Sequence, residues 1–236
     1  MEIDVCFSPA LYPAYHRPDA IVVVVDVFRA TTTIVAALEN GAVGILPVAS
    51  IEEAQRYKAA GWLVGAERNV RRCSFADFGN SPFDYTPDIV AGKNLAFTTT
   101  NGTKAINRAI SAHSIITGAF TNLQAVRDYC LNEKRDVVVL CSGWEDKINT
   151  EDTLFGGALV DLLQTKDYNP AGDAAIIACN MWKEAQSNLQ DYLDQSEHIQ
   201  RLKSNGLEDD MRYCLTLNQS TIVPVFDKTK KMLIIK

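Results

Sequence analysis

Apolar and polar residues alternate along the chain in blocks that predict a regular succession of strands and helices. Residues 20–25 form an almost unbroken β-branched run, which is typical of a strand covered on both faces. Ser50 and Glu53 have the spacing of a capping box and predict a helix that stops at Gly61. Similar patterns predict further strands at 43–48, 62–66, 94–99, 114–117 and 136–141. They predict further helices at 32–39, 102–111, 123–131 and 151–164.

The order of these segments predicts the α/β class. Strands that alternate with helices build a mostly parallel sheet between two helical layers, which is a three-layer α/β/α fold. Residues 173–217 have a helical pattern with a break at Gly206, and residues 222–226 and 232–235 predict a terminal β-hairpin. The hairpin should add antiparallel strands and make the sheet mixed. We expect a single domain over residues 1–236, with residues 173–217 as a small helical lobe.

The net charge of the chain limits the kinds of molecule that it is expected to bind. The chain has 236 residues, 47% of them hydrophobic, and a formal net charge of −6. This charge argues against nucleic acid, which needs a broad basic surface, but it allows a small anionic substrate in a local cationic pocket. The six cysteines form no CxxC pair. We expect them to behave as small buried hydrophobic side chains in a reducing cell.

The N-terminal stretch and the apolar runs predict a cytoplasmic protein that has no membrane segment. Residues 1–5 carry neither a basic segment nor a long apolar segment of the kind found in secretory signals. The longest apolar runs are also too short to cross a bilayer.

Polar residues concentrate where predicted strands end, which is where ligands bind in open α/β sheets. Asp26 follows the first strand and could hold Mg²⁺ or orient a water molecule. Arg29 could bind an anion through two hydrogen bonds, and Thr31 and Thr32 would offer hydroxyl and N–H groups at the start of a helix. An ordinary helix cap with a surface arginine is the alternative.

A second polar cluster covers residues 98–104, again between a strand and a helix. Thr100 or Asn101 could cap the helix, and Gly102 would let the backbone approach an oxyanion closely. Together with Thr103, these groups predict a phosphate site that lacks the glycine spacing of a Walker A motif. A strand followed by an ordinary cap is the alternative.

Three further groups carry candidate side chains. Glu67, Arg68, Asn80 and Ser81 lie in the long segment 67–85, and a loop of that length is often functional. Glu151 and Asp152 begin a helix, where the helix dipole alone would favour them, or where they could bind a metal. Residues 206–210 also begin a helix, and their acidic residues fit the dipole explanation, although one aspartate could reach the site from a lobe above it.

Several phosphatase and hydrolase motifs are missing from the sequence. The second position of an Asp-x-Asp pair after Asp26 is occupied by Phe28, and no Arg-His-Gly or Gly-x-Ser-x-Gly stretch occurs. The three histidines lie in unremarkable settings, which leaves catalysis to a metal ion and carboxylates.

Taken together, the polar segments resemble the 2-phosphosulfolactate phosphatase family of coenzyme M biosynthesis. The matching segments are 26–33, 79–82, 98–104, 151–153 and 206–210. The resemblance implies an α/β/α fold and Mg²⁺-dependent hydrolysis of 2-phospho-3-sulfolactate, or a related small phosphorylated acid, to 3-sulfolactate and phosphate. By analogy with the family it also suggests a homodimer. One departure is Phe155-Gly156-Gly157, where the family leads us to expect a Cys-Ala-Gly-like stretch.

On this basis we expect Asp26, Glu67 and Asp152, with Glu151, to hold Mg²⁺ and orient a water molecule for attack on phosphorus. A transient aspartyl-phosphate on Asp26 is the competing mechanism. We expect the other candidates to bind the substrate: Arg29, Thr31, Thr32, Arg68, Asn80, Ser81, Thr100, Asn101, Gly102 and Thr103. The alternatives in function are an isomerase or transferase of small phosphometabolites and a non-catalytic anion-binding module.

Overall fold

A computed structural model describes residues 1–99 and 102–236 of the chain. Within these residues, eleven strands form one mixed sheet in the order β5-β4-β6-β3-β11-β10-β7-β2-β8-β1-β9. The strands are β1 (Glu2–Cys6), β2 (Ile21–Val25), β3 (Gly44–Pro47), β4 (Leu63–Arg68), β5 (Arg71–Arg72), β6 (Asn94–Thr98), β7 (Ser114–Gly118), β8 (Val137–Cys141), β9 (Asn169–Pro170), β10 (Pro224–Asp227) and β11 (Met232–Ile235).

Eleven helices accompany the sheet in the same described residues. They are α1 (Tyr12–Tyr15), α2 (Ala30–Glu39), α3 (Ile51–Ala59), α4 (Pro87–Val90), α5 (Gly102–Arg108), α6 (Leu123–Glu133), α7 (Thr150–Gln164), α8 (Gly172–Ala185), α9 (Leu189–Leu193), α10 (Glu197–Lys203) and α11 (Glu208–Cys214).

The side chains of β2 show why the fold has three layers. Ile21, Val23 and Val25 belong to a core formed with helices α6 to α11. Val22 and Val24 point the other way and belong to a second core formed with helices α1, α2, α4 and α5. Successive residues of a strand face opposite sides of the sheet, so an unbroken apolar run requires a helical layer on each side. The predicted three-layer α/β/α fold is confirmed.

The terminal hairpin lies at the centre of the sheet rather than at its edge. Strand β10 pairs with β7 through Val225 and Ile116, and β11 pairs with β3 through Leu233 and Ile45. Both pairings are antiparallel, as is the pairing within the hairpin. The prediction of a mixed sheet is confirmed. The parallel block β4-β6-β3 consequently runs opposite to the parallel block that contains β7, β2 and β8.

Most predicted elements occur close to their predicted bounds, and the principal omission is β1. This strand lies between β8 and β9 and pairs in parallel with both. Within the long segment 67–85, residues 71–72 form β5 and residues 82–84 form a short 3₁₀ turn. Half of the predicted capping box is present, since the Ser50 side chain accepts a hydrogen bond from the N–H of Glu53, whereas the Glu53 side chain accepts from the N–H of Ala49 rather than of Ser50.

Residues 173–217 are helical as predicted and contain most of α8 with α9, α10 and α11. Their buried side chains, which include Trp182, Ile199 and Met211, join the same core as β2 and α7. The division into one domain with a small helical lobe stays a prediction. Of the helices described, none is long and apolar enough to span a bilayer.

The cysteines behave as the composition predicts. Five of the six are buried, Cys73 is partly buried, and each is a free thiol. Burial raises the pKa of the Cys141 thiol well above its ordinary value. Cys141 is therefore protonated at neutral pH and is a poor nucleophile although it ends β8.

Helices α7 and α8 pack so closely that one glycine has no room for a side chain. A Cβ atom at Gly157 would lie 1.9 Å from the carbonyl oxygen of Ala178, whereas one at Gly156 would lie 3.0 Å from a methyl group of Val5. Phe155, at the departure from the family pattern, is fully buried and packs edge-on against Phe120.

We predict that Gly157→Ala lowers the free energy of unfolding by about 2 kcal/mol, because the added methyl group meets backbone that cannot rotate away. Gly156→Ala is the matched control. It should change stability by less than about 1 kcal/mol, since a side chain can yield and alanine favours the helix. Urea denaturation followed by circular dichroism measures both. Equal stability of the Gly157→Ala variant and the wild type would contradict the packing described.

Candidate active site

The loops that follow β2, β4, β6 and β8 meet helix α10 around a small cavity of about 30 Å³. Arg29 Nη2 lies 3.5 Å from the carbonyl oxygen of Val70, and the Thr33 hydroxyl donates to the carbonyl of Asn80 at 2.9 Å. These contacts join the two oppositely directed blocks of the sheet. The cavity is lined by Asp26, Phe28, Arg29, Glu67, Val70, Asn80, Thr99, Gly143, Trp144, Asn149, His198, Arg201 and Leu202.

Asp26 is the buried carboxylate of this cavity, with 8% of its surface exposed. Its Oδ1 accepts a hydrogen bond from the N–H of Ala30 at 3.3 Å, at the start of α2. Burial raises the pKa of Asp26 to about 6, and the neighbouring carboxylates Glu67 and Glu151 contribute to the rise. Such a carboxylate gains most from a cation placed beside it, because a cation would offset the cost of burying its charge.

Asp152 is fully buried and fixes two of the loops. Its Oδ1 accepts from the N–H of Val27 at 2.8 Å, and its Oδ2 accepts from Ser142 and Gly143 at 3.1 and 3.2 Å. Burial and the charges of Asp26 and Glu151 raise the pKa of Asp152 well above its usual value, while the Val27 and Gly143 N–H groups act in the opposite direction. Both oxygens are thus already bound to backbone.

Glu151, which is fully buried, pairs with the partly buried His198, and the sequence alone did not indicate this pair. Glu151 Oε1 lies 2.5 Å from His198 Nδ1 and also accepts from Asn149 Nδ2 at 3.1 Å. The His198 ring packs edge-on against Phe28 in the cavity wall. Because Nδ1 faces Glu151, Nε2 is the ring nitrogen left for a ligand. Helix α10 brings His198 here from the late helical segment, and no local motif marks it.

Arg29 is also buried, and its charge is already offset. Its Nη1 forms an ion pair with Asp210 Oδ2, and the Ser81 hydroxyl donates to Asp210 Oδ1 at 2.8 Å. Asp210 is thus the member of the acidic cluster 206–210 that reaches the site, where it holds α11 against the loop after β2.

The threonines of the first cluster form hydrogen bonds to the backbone of the turn that contains Asp26. The Thr31 hydroxyl donates to the carbonyl of Asp26 at 2.9 Å, and the Thr32 hydroxyl donates to the carbonyl of Val27 at 2.9 Å. Neither residue lines the cavity described above. Their predicted contact with substrate stays a prediction, and the geometry favours a role in fixing the backbone around Asp26.

Gly102 brings the second cluster against the first. A Cβ atom there would lie 3.3 Å from Asp26 Oδ2 and 3.2 Å from the Ala30 side chain, so only glycine allows this approach without displacement. The Thr103 hydroxyl donates to the carbonyl of Thr99 at 3.2 Å. Thr100 and Asn101, both predicted to bind substrate, lie outside the described residues.

The remaining candidates from segment 67–85 divide into two kinds. Glu67 lines the cavity, and its Oε1 accepts from the N–H of Val70 at 2.5 Å. Asn80 lines it as well. Arg68 instead donates to the carbonyl of Glu67 at 2.6 Å and to the Thr98 hydroxyl at 3.1 Å.

The wall of the Asp26 cavity carries oxygen atoms without hydrogen-bond partners, which suit a hard cation such as Mg²⁺. Among the described residues, the buried unpartnered oxygens in this region are Asn80 Oδ1, Thr99 Oγ1, Ser142 Oγ, Asn149 Oδ1 and Glu151 Oε2. No three Asp, Glu, His or Cys side chains in the described part of the chain form a complete metal cluster. Mg²⁺ does not need one, because it binds through one or two carboxylates, retained water and substrate phosphate.

The sequence model of the 2-phosphosulpholactate phosphatase family matches residues 6–229. The chain belongs to this family. It is thus a member of a family of phosphatases, which are phosphoric monoester hydrolases, and the predicted resemblance is confirmed.

Individual relatives agree across most of the chain. A protein of Thermotoga maritima named probable 2-phosphosulfolactate phosphatase is 40% identical over 202 residues, covering 86% of this chain and 87% of the relative. Proteins with the same name match from Caldanaerobacter subterraneus, at 36% identity over 86% of both chains, and from Clostridium novyi. The Clostridium protein is 33% identical and covers 98% of this chain and 99% of its own.

We predict that Asp26→Asn stabilises the metal-free protein at about pH 7.5 by about 2 kcal/mol. Because its pKa is raised, Asp26 favours the folded state when it is protonated. This stability is fully present below pH 3.8, the ordinary pKa of the group, and is lost as the pH rises through about 6. Asparagine stays neutral, so the gain should vanish near pH 4.

Urea denaturation in EDTA at both pH values measures this difference. Asp209→Asn is the control, since Asp209 is highly exposed on α11 and pairs with Arg212. A stability gain of the same size at both pH values would contradict the assignment to Asp26 ionisation.

Proposed function

We propose that the chain is a Mg²⁺-dependent phosphatase that hydrolyses 2-phospho-3-sulfolactate, or a related small phosphorylated acid, to 3-sulfolactate and phosphate. Membership of the family and the names of the relatives support the substrate. The observation that carries the chemistry is the buried Asp26, which lines one cavity with Glu67 and with unpartnered oxygens of Asn80 and Thr99. This arrangement suits an oxyanion only when a cation accompanies it, because carboxylates repel phosphate.

Asp26 and Glu67 are the residues proposed to hold Mg²⁺, since both line the cavity. When bound, Mg²⁺ supplies charge neutralisation for phosphoryl oxygens and for the leaving group. Glu151 keeps one oxygen without a partner and could complete the site. Asp152 was also predicted as a ligand and catalytic residue. Because its oxygens accept three backbone N–H groups, we give it the role of positioning the loops that carry Asp26 and Gly143.

In the proposed reaction, Asp26 accepts a hydrogen bond from the attacking water and orients it toward phosphorus. The water oxygen bonds to phosphorus as the P–O ester bond breaks, and one proton of the water ends on the departing oxygen, so that the products are 3-sulfolactate and phosphate. Gly102 lets the start of α5 come close to Asp26. In this proposal the N–H groups there donate to a phosphoryl oxygen. Contacts from Thr100, Asn101 and Thr103 to the phosphate remain part of the proposal.

We predict that 2-phosphosulfolactate releases phosphate in the presence of Mg²⁺, that EDTA stops the release and that added Mg²⁺ restores it. A screen of small phospho-acids by phosphate assay measures this directly. Ligand binding without phosphate release would instead favour the anion-binding module, and conversion without phosphate release would favour an isomerase or transferase. Full turnover in EDTA would overturn the metal dependence.

Asp26→Asn should reduce kcat by about 10³-fold, because a neutral amide neither orients the water as strongly nor holds a cation. Asp209→Asn is the matched control and should keep wild-type activity. Circular dichroism verifies folding of both variants. Near-normal turnover of Asp26→Asn would remove Asp26 from the mechanism.

Hydrolysis in ¹⁸O-labelled water under single-turnover conditions tests for an aspartyl-phosphate that water cleaves at the carboxyl carbon, because attack on phosphorus labels the phosphate in both mechanisms. Direct attack places the label in the first phosphate released. A transient aspartyl-phosphate on Asp26 returns unlabelled phosphate in the first turnover when water attacks the carboxyl carbon of the ester. The role in coenzyme M biosynthesis, the cytoplasmic location and the homodimer stay predictions attached to this function.

A further inference from the structure

Arg201 is a cation of the cavity wall that the proposed mechanism does not use. Its guanidinium carbon lies 3.6 Å from the centre of the Trp144 ring, so the two groups stack face to face. Within residues 1–99 and 102–236, no carboxylate pairs with it, and its buried Nε has no hydrogen-bond acceptor. A half-buried guanidinium without an acceptor is costly unless an anionic ligand completes its hydrogen bonds.

The other arginines near the site differ in this respect. Arg29 is neutralised by Asp210, and Arg68 donates to a backbone carbonyl and to Thr98. Both were predicted to bind the substrate. Of these three arginines, only Arg201 combines a place in the cavity wall with a charge that no carboxylate among the described residues offsets.

The position of Arg201 connects two spaces. It lines the Asp26 cavity and also a neighbouring cavity of about 310 Å³. Trp144, Asn149 and His198 line both, so the stacked pair of Arg201 and Trp144 stands at the boundary between them. The smaller space is too small to hold the whole substrate. A phosphoryl group beside Asp26 would therefore extend its carbon skeleton toward Arg201 and the larger space.

We propose that Arg201 is a specificity-determining residue that binds the second anionic group of the substrate, a sulfonate or carboxylate on the leaving group. This inference rests on the proposed function. A planar guanidinium donates two parallel hydrogen bonds to either group, and stacking on Trp144 leaves its edge free to do so. The site thus distinguishes phosphorylated acids from simple phosphate esters.

The test compares Arg201→Gln with four substrates. These are 2-phosphosulfolactate, 2-phospholactate without the sulfonate, 2-sulfoethyl phosphate without the carboxylate, and phenyl phosphate with neither. We expect kcat/KM for 2-phosphosulfolactate to fall about 10- to 100-fold, mainly through KM, with phenyl phosphate changed less than about 2-fold. A loss confined to 2-sulfoethyl phosphate among the two truncated acids assigns the sulfonate, and a loss confined to 2-phospholactate assigns the carboxylate.

Two variants control for structural effects. Arg212→Gln removes a highly exposed arginine of α11 that pairs with Asp209, and it should leave all four substrates unchanged. Arg201→Lys keeps the positive charge and should therefore recover part of the lost kcat/KM. Recovery should be incomplete, because an ammonium group cannot donate two parallel hydrogen bonds as a guanidinium does. Equal losses on phenyl phosphate and 2-phosphosulfolactate, or no loss on any substrate, would overturn the assignment.

Binding of 3-sulfolactate by calorimetry separates failure of this inference from failure of the proposed function. If the wild type releases no phosphate from 2-phosphosulfolactate, the proposed substrate is wrong. Binding of 3-sulfolactate about 10-fold tighter to the wild type than to Arg201→Gln would still support the role of Arg201. Equal affinity of the two proteins would overturn it.

Discussion

The side chain of Asp152 accepts three backbone hydrogen bonds, one from the loop after β2 and two from the loop after β8. The N–H of Ser142 also donates to the carbonyl of Val25 at 2.8 Å. Losing the carboxylate would therefore leave the N–H groups of Val27 and Gly143 without this acceptor. Since Asp152 lies in the first turn of α7, the same contacts hold that helix against both strands. Asp26 precedes Val27 in the first loop, and Trp144 follows Gly143 in the second. The positions of both residues therefore depend on the Asp152 side chain.

The sequence carries enough information for the strands, because a strand covered on both faces must be apolar throughout. It also indicates Asp26 and Glu67, since polar residues directly after such strands have few structural uses. Strand β1 was missed although Ile3 and Val5 alternate with Glu2 and Asp4, which is the signal of a half-exposed strand. His198 and Arg201 carry no such signal, because a separate helix brings them to the site through tertiary packing alone.

The charged side chains of the site fall into two groups, one paired and one unpaired. The pair of Arg29 and Asp210 is buried and neutral overall, and it joins α11 to the loop after β2. Asp26, Glu67 and Arg201 line the cavity and form no ion pair with one another among the described residues. The buried pair therefore fixes the position of α11, whereas the unpaired charges of the cavity are available to bind a ligand.

The central place of the hairpin has a consequence for how the chain is made. Until residues 224–235 emerge from the ribosome, β3 and β7 lack their inner neighbours, and no strand joins the two parallel blocks. Each block then presents a bare strand edge, which pairs readily with other chains. The nascent protein is therefore most exposed to aggregation during the interval between synthesis of β8 and insertion of the hairpin, when chaperone protection matters most.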